Sequence, residues 1–356
     1  MIKKKLEEYL DYKQPQPYIV SNEQYSNEYK TPVLTAGKSF LLGMTNDTKG
    51  IYPASKDEPI ILFDDFTTDI KWVDFPFKVK SSACKILVPR NDTNLRFCYY
   101  GMKSLNFDAS QHKRYWISQY SQMQLPDYPN ARKAEIVERL SRIENQINIK
   151  ENQLNKLDSL VKSRFIEMFG NPISEQKWIV KKWNDVLEIK NGKDYKKNLS
   201  DKEKGYPVYG SGGFMNIYAD TYLCEGIITI IGRKGNINNP LLVEGKIWNV
   251  DTAFGIIVKS DILNPIFFHH CSKFYDYEKL NKATTIPSLT KSDLLNLEII
   301  MPPIELQDKF ADFVHLIDKS RFVVHSRYFL WLNFTFVSST IAYSRVVSIL
   351  ECPKRC

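Results

Sequence analysis

The clearest pattern of hydrophobic and polar positions lies in the middle of the chain. From Ala131 to Phe165 there is neither glycine nor proline, and Glu, Lys, Arg, Gln, Leu and Ile dominate. Such a segment predicts a helix that packs along a narrow stripe, because apolar residues recur at alternating steps of four and three. Gly170, followed by Asn171 and Pro172, predicts its end. The stripe has Lys150 at one expected apolar position and otherwise consists of Ile136, Leu140, Ile143, Ile147, Leu154, Leu157 and Val161.

On both sides of this helix the pattern changes to short segments rich in β-branched and aromatic residues. Glycine, asparagine and aspartate separate these segments, which is typical of strands joined by turns. We therefore expect mixed α/β lobes with substantial sheet.

Segments before the helix resemble segments near the C-terminus. At a constant spacing Met123 matches Leu297 and Pro129 matches Pro303, and each copy reads as a short strand, a proline break and an amphipathic helix. Two copies of a lobe followed by a helix are therefore predicted. The matched stretches are 120–140 with 294–314, 31–37 with 206–212, 58–63 with 226–231, and 79–83 with 250–254.

Length and composition agree with this organisation. The 356 residues fit two domains, and 43% hydrophobic with 25% charged residues is typical of globular protein. No apolar run reaches the ~18 residues of a membrane span, and no apolar stretch follows the cationic start, so we expect a cytoplasmic protein. No CxxC pair is present, which favours reduced thiols over a disulfide framework. The cysteines are Cys84, Cys98, Cys224, Cys271, Cys352 and Cys356.

The net charge of +8 permits nucleic-acid binding but does not establish it. More informative are hydrogen-bonding and cationic side chains near predicted strand ends, since these side-chain types contact base edges and phosphates. The DNA-binding candidates are Thr67, Thr68, Lys71, Lys80, Ser81 and Ser82 in the first lobe, and Tyr209, Ser211, Arg233, Lys234, Asn236 and Asn238 in the second.

Four further motifs are interpreted structurally. Gly210–Gly213 lacks the Lys-Ser/Thr of a phosphate-binding loop and predicts a tight turn. Asn238–Leu241 lacks the second proline and the aromatic residue of a methyltransferase loop and also predicts a turn. His269–Cys271 has no second ligand pair and indicates helix packing, and Asp64–Asp65 lacks the downstream Glu-x-Lys of a nuclease. We therefore predict no catalytic and no metal-binding residue.

Several ordered segments together resemble the specificity subunits of Type I restriction–modification systems. Residues 153–160 and 163–170 look like the central spacer helix of that family. Residues 285–289, 294–299 and 302–307 resemble its distal conserved region. The resemblance covers the chain to about Ser320.

This resemblance implies an α/β protein with two target recognition domains, residues 1–129 and 171–303, separated by a coiled-coil spacer helix at 130–170. A distal helix would begin at 304–320 and pair antiparallel with the first. Each lobe would read half of a bipartite site in double-stranded DNA. The subunit would position two methyltransferase subunits and the restriction (translocase/nuclease) subunits. It would carry no cofactor, and S-adenosylmethionine, ATP and Mg²⁺ would belong to those partners.

The C-terminal segment departs from the family pattern. Residues 321–350 contain no acidic residue and are rich in β-branched and aromatic residues, where the resemblance implies a second heptad helix. We therefore predict that the second spacer helix is truncated or replaced by an atypical tail at 321–356. Two alternatives stay open: a silent or assembly-defective allele of the same family, and a coiled-coil scaffold that binds only proteins.

Overall fold

A computed structural model of the chain describes residues 2–35, 39–111, 113–175, 177–281 and 286–336. Ala36, Gly37, Thr285, Cys352 and Cys356 lie outside these residues, as does the tail from 337 to 356. The chain divides into two compact units, Met1–Asn148 and Ile149–Cys356, which we call the first and second units.

The first unit contains two small sheets and a strand pair. Strands β2, β8, β5 and β6 form an antiparallel sheet in that order, and β4, β3 and β7 form a second one in which β3 and β7 run parallel. Strand β9 pairs with β1 and leads into the long helix α3. The elements are β1 (Lys3–Lys5), α1 (Leu6–Tyr9), β2 (Leu10–Lys13), β3 (Thr31–Leu34), β4 (Leu41–Thr45), β5 (Ile60–Asp64), β6 (Ile70–Val73), β7 (Lys78–Val79), β8 (Cys84–Pro89), α2 (Leu95–Ser104), β9 (Gln124–Pro126) and α3 (Asn130–Phe169).

The second unit contains one seven-stranded sheet and a strand pair. The order in the sheet is β11, β17, β15, β16, β13, β14 and β12, with β13 and β16 parallel. Strand β18 pairs with β10 and leads into α7. The elements are β10 (Val180–Lys182), α4 (Trp183–Val186), β11 (Leu187–Asn191), β12 (Leu199–Ser200), β13 (Tyr206–Gly210), β14 (Gly213–Ala219), β15 (Cys224–Gly232), β16 (Leu241–Asn249), β17 (Ala253–Val258), α5 (Pro265–Ser272), α6 (Lys291–Leu295), β18 (Glu298–Ile300) and α7 (Ile304–Phe336).

Both units follow one plan, and the repeat is longer than the sequence matches indicated. The run β1–α1–β2 in the first unit corresponds to β10–α4–β11 in the second, which we did not predict. A weak sequence signal is present, since residues 4–10 read KKLEEYL and residues 181–187 read KKWNDVL. In both copies the aromatic or leucine residue after the two lysines, Leu6 or Trp183, is fully buried.

One predicted match, 79–83 with 250–254, is out of register by one residue at its start and by two at its end. The backbone N–H of Lys80 donates to Leu34 at 2.9 Å, and the N–H of Val250 makes the same bond to Tyr209 at 2.9 Å. Val250 therefore corresponds to Lys80 and not to Val79. The loop that follows is also longer in the first unit, because Cys84 and Ala253 start the equivalent strands β8 and β17. A match that keeps one offset across this loop is therefore out of register on at least one side of it.

The helix predicted from Ala131 to Phe165 is present as α3, Asn130–Phe169. The predicted stripe residues are half-buried and Val161 is buried, while Lys150 is also half-buried and continues the stripe. The start of the helix is held by Asp127, whose carboxylate accepts a hydrogen bond from Lys133 Nζ at 2.8 Å and from the Tyr9 hydroxyl at 2.9 Å. The Lys133 bond, ahead of the other contacts, lowers the pKa of Asp127 to about 2.

In the second unit, the C-terminal part of α3 packs against the start of α7. The Phe165 and Phe310 rings lie 5.3 Å apart, and Arg164 lies 5.8 Å over Phe313. Asp158 forms an ion pair with Arg321. Since contacts progress toward the N-terminus on α3 and the C-terminus on α7, the two helices run antiparallel where they touch.

Helix α7 continues beyond Ser320, where the heptad-like composition of the sequence stops, to Phe336. No glycine or proline lies between Ile304 and Phe336, so nothing in this segment interrupts the helical hydrogen-bond ladder. The atypical composition of the tail is therefore compatible with helical backbone as far as Phe336.

Among the described residues, no helix has the length and apolar content needed to cross a membrane. The described cysteines Cys84, Cys98, Cys224 and Cys271 are free and buried.

The α3–α7 contact gives a prediction. Phe165 is fully buried among four aromatic rings, so Phe165→Ala should destabilise the second unit by about 3–5 kcal/mol. The matched control is Leu160→Ala, since Leu160 lies on the same helix with 47% of its surface exposed. Urea unfolding of the full chain measures both. Equal effects of the two variants would contradict this packing.

Candidate nucleic-acid interface

Two adjacent carboxylates organise the loops at one end of β5 in the first unit. Asp64 accepts hydrogen bonds from the backbone N–H groups of Phe66 at 2.8 Å and Thr67 at 3.2 Å. These bonds shape the β5–β6 turn, in which Thr68 adopts a φ of 62°. The turn presents the candidates Thr67 and Thr68 at its surface. Asp64 thus shapes the turn that follows β5.

Asp65 ties this turn to two other segments. Its backbone N–H donates to the Ala83 carbonyl at 2.8 Å, and its carbonyl accepts from the Tyr115 N–H at 2.9 Å. Its buried carboxylate also accepts from the N–H groups of Tyr115 at 3.1 Å and Trp116 at 2.8 Å. Lys85 Nζ lies 3.7 Å from the same carboxylate. The β5–β6 turn, the β7–β8 loop and residues 113–116 therefore form one surface.

The other first-lobe candidates lie at different places relative to this surface. Ser81 and Ser82 are in the β7–β8 loop, and Ser82 accepts two hydrogen bonds from the Arg114 guanidinium, at 3.0 and 3.1 Å. Lys80 precedes them and forms an ion pair with Glu23. Lys71 lies on the edge strand β6, opposite Leu62.

The loop after β15 in the second unit is held in the same way. The Arg233 N–H donates to the Thr252 carbonyl at 2.8 Å, and the Arg233 carbonyl accepts from the Leu289 N–H at 2.9 Å. Lys234 forms a β-bridge with Ser288, and the Gly235 N–H donates to Pro287 at 3.0 Å. Residues 286–289 therefore brace the loop that carries the candidates Arg233, Lys234 and Asn236.

The side chains of Arg233, Lys234 and Asn236 are exposed on this braced loop. The Arg233 guanidinium lies 6.0 Å over the Phe254 ring. Ser211, in the β13–β14 turn, adjoins the same loop, since a Cβ on Gly232 would lie 3.0 Å from that of Ser211. Only glycine fits at 232, because the same Cβ would lie 2.0 Å from the Asn236 carbonyl oxygen.

Two candidates of the second lobe serve mainly in packing. The amide of Asn238 accepts from the Tyr277 N–H at 2.7 Å and donates to Asp276 at 3.5 Å, so both of its polar groups have partners in the lobe. Tyr209 is half-buried, with its ring 5.6 Å from that of Phe214.

The structure confirms the structural interpretation of three motifs. Gly210–Gly213 closes a tight turn between paired residues of β13 and β14, with Gly213 at a φ of 110°. Asn238–Leu241 is a loop that enters β16. His269–Cys271 lies in α5, where His269 and Cys271 are buried. Burial, ahead of nearby Lys273 and Arg321, lowers the pKa of His270 to about 3.

The sequence did not indicate two parts of these surfaces. Residues 286–289 belong to a segment quoted only for its family resemblance, and nothing in it pointed to a bracing role. Arg114 stands in a loop without any motif. The constant spacing of the repeat aligns Tyr115 with Leu289 and hence Arg114 with Ser288, so it could have marked these residues as equivalent, although it does not show what they contact.

Comparisons with known proteins agree with this architecture. Residues 175–324, less than half of the chain, match the model of the Type I restriction modification DNA specificity domain. This segment is therefore similar to that domain family. The resemblance to Type I specificity subunits that the sequence indicated is confirmed for this segment.

A curated relative and a solved structure extend the comparison. A segment of 125 residues, 34% of this chain, is 52% identical to the Type I restriction enzyme EcoR124I/EcoR124II specificity subunit of Escherichia coli and spans 31% of that protein. The crystal structure of a Type I restriction–modification S subunit from M. genitalium is similar over 96% of this chain and 94% of its own. Its TM-score is 0.58 at 16% identity, which shows a shared fold.

Removal of the Asp65 carboxylate tests how the first surface is held together. Asp65→Ala should cost about 3–5 kcal/mol of stability, because it removes the carboxylate that pairs with buried Lys85 and that accepts from the Trp116 N–H. Asp69→Ala is the control, since Asp69 is exposed in the same turn. Thermal unfolding of the two variants compares them. A loss for Asp65→Ala as small as that for Asp69→Ala would rule out this role.

Proposed function

We propose that this chain is the DNA sequence-recognition subunit of a Type I restriction–modification complex and that each unit reads one half of a bipartite site. The observation that carries the proposal is the repetition of one loop assembly. The residue that follows β5 or β15, Asp65 or Arg233, bonds through its N–H and its carbonyl to two segments that are equivalent in the two units.

The chemistry of these loops suits DNA. Arg233, Lys234 and Asn236 are exposed together, and arginine and asparagine form paired hydrogen bonds with guanine and adenine edges, whereas lysine also neutralises phosphates. The first unit presents hydroxyl groups and Arg114 on the corresponding segments. Two different sets of side chains on one frame would read two different half-sites, and the whole site would be asymmetric.

We assign methylation and cleavage to partner subunits. In this proposal α3 and α7 set the separation of the half-sites and bind two methyltransferase subunits, which restriction subunits join. The antiparallel contact of α3 with α7 in the second unit favours this proposal, because two packed helices offer the partners a common surface. S-adenosylmethionine, ATP and Mg²⁺ would be bound by the partners, and this chain would act without a cofactor.

Mapping of modified bases tests the bipartite reading. The full chain is combined with its methyltransferase subunits and S-adenosylmethionine on genomic DNA, and methylated positions are sequenced. We expect every site to contain two specified blocks separated by a gap of fixed length, as a rigid support requires. Sites that form a single continuous motif would refute the two-unit reading.

Arg233 gives a residue-level prediction. Arg233→Ala should weaken recognition of one half-site by about 1–3 kcal/mol if the guanidinium contacts a base, and the other half-site should be unaffected. The control is Lys246→Ala, because exposed Lys246 pairs with Glu225 at the opposite end of β15. Equal weakening on all sequences, with a smaller salt dependence, would identify a phosphate contact instead.

The composition of residues 321–350 favours one alternative, an assembly-defective member of the same family. Co-purification of the full chain with methyltransferase subunits distinguishes the proposed function from this alternative. A stable complex argues against the assembly-defective alternative. A protein-binding scaffold makes a different prediction, since only a DNA-binding chain shows salt-sensitive association with duplexes.

A further inference from the structure

The two units place an arginine guanidinium at the same point of the repeated loop assembly, although the arginines come from different segments. Ser82 and Asp251 are equivalent, because each directly precedes the residue whose carbonyl accepts the N–H of Asp65 or Arg233. Arg114 Nη1 donates to the Ser82 carbonyl at 3.0 Å. Arg233 Nη1 donates to the Asp251 carbonyl at 3.4 Å.

An aromatic ring also lies under each guanidinium group, although the two rings come from non-equivalent positions. Arg114 lies 5.6 Å over the Phe66 ring and Arg233 lies 6.0 Å over the Phe254 ring. Both side chains reach solvent, with 48% of the Arg114 side chain exposed. An arginine held over an aromatic face keeps its planar group in a fixed orientation. Both terminal nitrogens of Arg114 donate to Ser82, and each of them carries a second N–H.

The two arginines come from segments that are not equivalent in the repeat. The position of Arg233 in the second unit is occupied by Asp65 in the first, while Arg114 stands where the second unit has Ser288. In the first unit the buried Asp65 carboxylate lies 3.7 Å from the Arg114 guanidinium and helps to position it. The cation is therefore retained at this point while the segment that supplies it changes.

We infer that Arg114 is the first unit's counterpart of Arg233 and binds DNA through a paired guanidinium contact in its own half-site. This inference rests on the proposed function. The acceptors are two neighbouring oxygen or nitrogen atoms, either on a guanine edge or on a phosphate. Arg114 would thus add a specificity or affinity determinant that lies outside every sequence motif.

Selection from randomised DNA tests the inference with the full chain. Duplexes with a random central segment are bound and sequenced for the wild-type chain and for Arg114→Gln, Arg233→Gln and Arg90→Gln. Arg90 is the matched control, because it lies in the first unit, is 47% exposed and pairs with Asp11, yet stands at the other end of β8. Thermal unfolding of each variant is recorded alongside.

We expect Arg114→Gln and Arg233→Gln to alter different blocks of a two-block motif, each with about five- to 150-fold weaker binding. Arg90→Gln should behave as the wild type. A loss of affinity on all duplexes with a salt slope lower by about one also supports the inference and identifies a phosphate as the acceptor. Wild-type blocks and affinity for a folded Arg114→Gln variant would overturn it.

Failure of the proposed function would look different, since the wild-type chain itself would then enrich no motif. If Arg114→Gln does not fold, Arg114→Lys decides, because lysine keeps the charge but cannot form the planar paired contact. Binding at least about fivefold weaker, with an unchanged melting temperature, supports the inference. Wild-type binding by Arg114→Lys overturns it.

Discussion

The architecture of both lobes depends on one pair of backbone hydrogen bonds. The residue that follows β5 or β15, Asp65 or Arg233, donates its N–H to one neighbouring segment and accepts at its carbonyl from another. These two bonds hold the three segments together in each unit, and backbone groups of folded proteins are nearly always paired. The bonds use only backbone atoms, which leaves the side chain at this position free to vary.

This freedom explains how one frame supports two different surfaces. In the first unit the side chain is a buried carboxylate that ties down further N–H groups and two cations. In the second unit it is an exposed guanidinium. A frame fixed by backbone bonds with variable side chains on its loops is the arrangement that suits recognition proteins, because specificity can change without loss of the fold.

How far the sequence predicted this structure depended on how local each signal was. The long helix followed from a segment without glycine or proline, and the repeat followed from matched strands and proline breaks. The copy at β1–α1–β2 was missed because only its lysines and buried positions recur. The register of 79–83 with 250–254 was wrong because one offset was kept across a loop that differs in length between the two units. The bracing of Arg233 by residues 286–289 could not be predicted, since it joins segments far apart in the chain through backbone atoms alone.

The central claim is that two equivalent units bind two separate stretches of DNA. A hydroxyl-radical footprint of the full chain on a duplex that it binds specifically measures this directly. We expect two protected blocks on the DNA backbone with an accessible gap between them. A single uninterrupted block, or protection that does not depend on sequence, would contradict it.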